Sequence, residues 1–65
     1  MLYIMFDYTI LILEKVSFDT LLFSKELQKA IHTLTPSDIQ KLEKWFFDYS
    51  QSHTELDQFK TYFLN

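Results

Sequence analysis

Apolar residues crowd the first thirteen positions of the chain, and from there on they recur at helical spacing. Residues 2–13 are rich in β-branched, aromatic and leucine side chains, a composition that suits a pleated surface. Read as a strand, Leu2, Ile4, Phe6, Tyr8, Ile10 and Ile12 share one face. Tyr3, Met5, Asp7, Thr9, Leu11 and Leu13 share the other, more mixed one. The alternative is an apolar helix, in which Asp7 and Glu14 lie on one side. Periodicity alone arbitrates poorly between the two for so short a run, and the composition favours the strand.

Residues 18–34 read as an amphipathic helix with Ser17 as its N-cap. Phe23, Leu27, Ala30, Ile31 and Leu34 make one apolar stripe, and Lys25, Glu26, Gln28, Lys29 and His32 lie off it. Thr35-Pro36-Ser37-Asp38 opens a further helix over 36–50. Thr35 caps, Pro36 suits the first helical position, and Asp38 faces the positive end of the dipole. Its apolar arc is Ile39, Leu42, Trp45, Phe46 and Tyr49. Ser52-His53-Thr54-Glu55 fits a capping box for a last helix over 53–64, with Leu56, Phe59 and Phe63 on one face. The expected architecture over residues 1–65 is one small, mainly α domain. It has an N-terminal β-strand, or apolar helix, followed by a three-helix bundle-like arrangement.

The strand reading has a consequence. A strand needs a neighbour for its backbone N–H and C=O groups, and residues 14–65 offer no second strand. Pairing would then come from a second copy, related by a two-fold axis, or from the open sheet edge of another protein. Ile4, Phe6, Ile10 and Ile12 are accordingly candidate partner-binding residues. Leu21, Leu22 and Phe47 miss the helix stripes and join them, because clustered exposed apolar surface marks interaction sites.

Composition narrows the picture further. A domain of this size buries only about 60% of its unfolded surface, and small natural proteins add disulfides, a metal or a partner. There is no cysteine, so neither a disulfide nor a thiolate metal site is available. There is no glycine, which disfavours folds built on tight turns and rules out a glycine-rich phosphate loop. The net charge is −3 and all six basic residues are lysine, a poor footing for nucleic-acid binding. The apolar start falls short of the ~20 residues that span a bilayer. It also lacks the basic region and cleavage site of a signal peptide, and the expected location is the cytoplasm.

Candidate chemistry is sparse. His53 and Asp57 stand four apart at a helix start, but a tetrahedral metal site normally takes four ligands, and no cofactor is expected. Glu55 and Asp57 do not share a helix face, and no catalytic constellation is legible. Residues 22–47 have the outline of a helix-turn-helix. Its second helix would begin with Ser37, Asp38, Gln40 and Lys41, and Asp38 meets a phosphate backbone unfavourably. The functional expectation is a small non-enzymatic accessory protein acting through protein–protein contacts. It would be a homo-oligomer, or a small subunit or inhibitor of a larger assembly. The alternative is a DNA-binding regulator that works as a dimer.

Overall fold

In a computed structural model, which describes residues 5–64, the chain forms α1 (Met5–Lys15), α2 (Thr20–Thr33), α3 (Pro36–Tyr49) and a 3₁₀ helix (Thr54–Phe63). The fold is mainly helical, and no strand occurs among the described residues.

The strand expected over 2–13 is therefore corrected: from Met5 onward this segment is helical, and residues 2–4 lie outside the described residues. The reason is backbone satisfaction. A helix closes its hydrogen bonds within the segment, whereas a lone strand leaves them open. Phe6, Ile10 and Leu13 then fall at i, i+4 and i+7. Leu13 is fully buried, with Phe6 and Ile10 packed beside it. Thr9 returns its hydroxyl to the Met5 carbonyl at 2.8 Å, so this β-branched residue is accommodated without a sheet. Asp7 in the first turn and Lys15 in the last both suit the helix dipole.

α2 begins two residues later than expected. Asp19, not Ser17, is the N-cap: its carboxylate accepts from the amides of Leu21 at 3.0 Å and Leu22 at 3.2 Å. Ser17 instead belongs to the preceding turn, where its hydroxyl donates to the Glu14 carbonyl at 2.9 Å. The start of α3 is as the sequence predicts. Thr35 is extended, its Oγ1 accepts from the Asp38 amide at 3.2 Å, and Pro36 opens the helix. α3 ends at Tyr49 against Ser50, which is fully buried and bonds its hydroxyl to the Phe47 carbonyl at 3.2 Å.

The last element departs from the capping-box reading. Ser52 makes no N-cap. Its hydroxyl turns back to the Tyr49 carbonyl, and His53 precedes the helix without a side-chain cap bond. The helix that follows is 3₁₀, not α. Runs of more than 3–4 residues of this kind are uncommon, and here the apolar spacing fits it. Leu56, Phe59 and Tyr62 recur every three residues, so they eclipse on one side; Leu56 and Phe59 are buried and Tyr62 half-buried.

Leu13, Phe23, Leu27, Ala30, Leu34, Leu42, Phe46, Leu56 and Phe59 form the core. Phe23 and Phe46 sit at its centre, with ring centroids 6.0 Å apart. Phe59 stacks at 6.2 Å from Phe23, and Phe63 lies 5.6 Å from Phe46. One aromatic cluster thus ties α2, α3 and the 3₁₀ helix, at spacings that stabilise aromatic pairs beyond their area burial. A half-buried bond of 2.7 Å between Ser24 Oγ and the Tyr62 hydroxyl adds a polar tie from α2 to the 3₁₀ helix. α1 packs on α2 and α3. This leaves the opposite side of α1 uncovered.

Candidate interaction surface

α1 carries apolar residues on its outer as well as its inner side, and only one side of it faces the core. Phe6, Ile10 and Leu13 point inward, so Tyr8 and Leu11 point away, and they are 60% and 48% exposed. Met5, 48% exposed, extends this strip at its N-terminal end. The turn after α1 carries Phe18, 82% exposed. The first turn of α2 carries Leu21 and Leu22, also exposed. Six of the seven large apolar side chains left exposed among the described residues therefore fall between residues 5 and 22. The seventh is Leu64. Local geometry sets this up: the Asp19 cap places Leu21 and Leu22 at N2 and N3, before the core stripe of α2 begins at Phe23.

Beside this strip runs a shallow groove of about 110 Å³ between α1 and α2, lined by Met5, Tyr8 and Ile12 on one side and Glu26, Lys29 and Thr33 on the other. Pockets that enclose small molecules measure roughly 300–1,000 Å³, so the groove is better suited to a protruding side chain. Glu26 and Lys29 pair at 3.7 Å on its α2 wall.

The partner-binding residues named from the sequence fall in different places. Ile4 lies outside the described residues. Phe6 and Ile10 are half-buried against the core, and the Lys41 ammonium stands 5.3 Å from the Phe6 ring centre. Ile12 is half-buried and lines the groove. The single face that a strand would give Phe6, Ile10 and Ile12 does not exist, because helical geometry turns Ile12 away from the other two. Leu21 and Leu22 are exposed, with Leu21 at 70%. Phe47 is half-buried. Its ring meets Phe46 and Phe63 edge-on at 6.3 Å, and the Lys60 ammonium lies 5.5 Å from its centre.

Met5, Tyr8, Leu11 and Phe18 escape a strand-based selection. For Tyr8 and Leu11 the signal is the helical period itself, since they stand opposite Phe6 and Leu13 once residues 5–15 are wound at 3.6 per turn; Phe18 lies in the turn after α1, off the α2 stripe.

The contacts of His53 are local. His53 stacks on Tyr49 with ring centres 4.1 Å apart, and Tyr49 stacks on Trp45 at 4.6 Å. His53 Nδ1 also lies 3.1 Å from the Tyr49 carbonyl, so the ring extends the last turn of α3. Among the described residues no group of three His, Cys, Asp or Glu side chains is placed to hold a metal ion, and no helix is long and apolar enough to cross a membrane. At the start of α3, Asp38 pairs with Lys41 at 3.5 Å. No family model, curated protein or solved structure was found to match the chain.

Proposed function

We propose that the protein is a small non-enzymatic accessory protein that acts through protein–protein contacts, and that its contact surface is the outer side of α1 with the α1–α2 corner. One observation carries this reading: six large apolar side chains, Met5, Tyr8, Leu11, Phe18, Leu21 and Leu22, stay exposed in one sequence-local region of the fold. Contiguous apolar surface rimmed by charge marks interaction sites. Asp7, Glu14 and Lys15 supply such a rim on α1. The outer strip replaces the strand edge as the surface presented.

The test is site-specific photo-crosslinking in the cell that expresses the protein. A photoreactive residue at Leu21 or Tyr8 is expected to give a discrete product of defined mass. The same residue at Gln58, on the exposed side of the 3₁₀ helix, is expected to give none. Diffuse labelling of equal yield from all three positions overturns the reading.

A further inference from the structure

The outer side of α1 carries a charge pattern that selects its occupant. Asp7, Leu11 and Lys15 follow one another at i, i+4 and i+8 and so form one ridge along the helix. All three are exposed. None of the three ion pairs among the described residues uses Asp7 or Lys15. The acid stands four residues before Leu11 and the base four residues after it, so the ridge has opposite charges placed symmetrically about an apolar centre.

We infer that α1 pairs with α1 of a second copy of this chain, antiparallel, about a two-fold axis through Leu11. This rests on the reading of the outer α1 side as a protein contact and names its partner. Under that axis Leu11 meets Leu11 of the second copy, and Asp7 meets Lys15 of the second copy twice over, as a two-fold contact requires. A parallel pairing puts Asp7 beside Asp7 and Lys15 beside Lys15, which the charges oppose. With eleven residues, α1 is about 16 Å long. The contact therefore belongs to the small, reversible class.

The experiment is sedimentation equilibrium on the full chain, from roughly 10 μM to 1 mM, the range that so small a contact calls for. Wild type is expected to show a monomer–dimer equilibrium. Asp7→Lys alone and Lys15→Asp alone each place like charges together twice, and each is expected to weaken the dimer about tenfold. The double reversal Asp7→Lys/Lys15→Asp is expected to restore it. Reversal also sets both charges against the helix dipole, so a second variant stands apart from folding effects. Leu11→Cys in this cysteine-free chain is expected to form an intermolecular disulfide under mild oxidation, and Leu21→Cys is not. A wild-type monomer throughout overturns the inference. So does a dimer that ignores the single reversals, is not restored by the double one, or gives no disulfide at Leu11. Either failure leaves the crosslinking test at Leu21 and Tyr8 standing, so a different partner is recognised by its mass there.

Discussion

Replacing Asp19 by alanine tests where α2 begins and what holds that end. The Asp19 carboxylate accepts from two amides, Leu21 at 3.0 Å and Leu22 at 3.2 Å, which are otherwise orphan donors of the first turn. Losing such a cap costs about 1 kcal/mol. Removing a carboxylate from the positive end of the dipole adds roughly 0.3–1 kcal/mol. The sum, about 1.5 kcal/mol, is large beside the ~3–5 kcal/mol that a core of this size supplies. At about 4–8 °C per kcal/mol for a domain this small, the melting temperature falls by roughly 6–12 °C. Asp19→Asn keeps an acceptor and loses only the charge, so its shift is less than half as large. Ser17→Ala removes a hydroxyl that donates to an exposed carbonyl in the α1–α2 turn, an effect within about 0.5 kcal/mol. The assay is thermal unfolding followed by circular dichroism at one protein concentration, because self-association raises apparent stability. A Ser17→Ala loss equal to that of Asp19→Ala refutes the reasoning and returns the cap to Ser17.

Two further expectations concern the core and its polar tie. Leu42 is fully buried in α3, and Leu42→Ala costs about 2–5 kcal/mol. That approaches the whole stability of the chain, so far-ultraviolet circular dichroism at 25 °C should show most of the variant unfolded; a cooperative melt within a few degrees of wild type contradicts the core assignment. Ser24→Ala and Tyr62→Phe each remove one side of the 2.7 Å bond between α2 and the 3₁₀ helix. Each should cost about 1 kcal/mol in urea unfolding, and the double variant should cost clearly less than their sum; strict additivity shows that the two hydroxyls do not act together.

Much of the fold was legible in the sequence, and the residues show which parts and why. Thr35-Pro36-Ser37-Asp38 marked the start of α3 because a cap, a proline at the first helical position and an acid act locally. The stripe Phe23, Leu27, Ala30, Ile31 and Leu34 marked the inner face of α2 because burial follows the helical period. Within the candidate surface, Leu21 and Leu22 were found because they missed that stripe. Phe47 was selected on the same ground, yet it lies half-buried between Phe46, Phe63 and Lys60. A residue off one helix's stripe can still be covered by another element, and that is a tertiary fact.

Local chemistry by itself therefore determined a mainly helical chain, the inner faces of α2 and α3, and the absence of thiol or glycine-loop chemistry. Tertiary structure decided three things. The segment from Met5 to Lys15 is helical: among the described residues there is no second strand to satisfy its backbone, and a helix lets Phe6, Ile10 and Leu13 reach the core. The C-terminal segment is 3₁₀, with Leu56 and Phe59 buried beside Phe23 and Phe46 at a spacing of three. The outer side of α1 is left open, because α2 and α3 cover only the side that carries Phe6, Ile10 and Leu13. An apolar run reports how much surface it can bury; which side of it is buried depends on where the remaining elements pack.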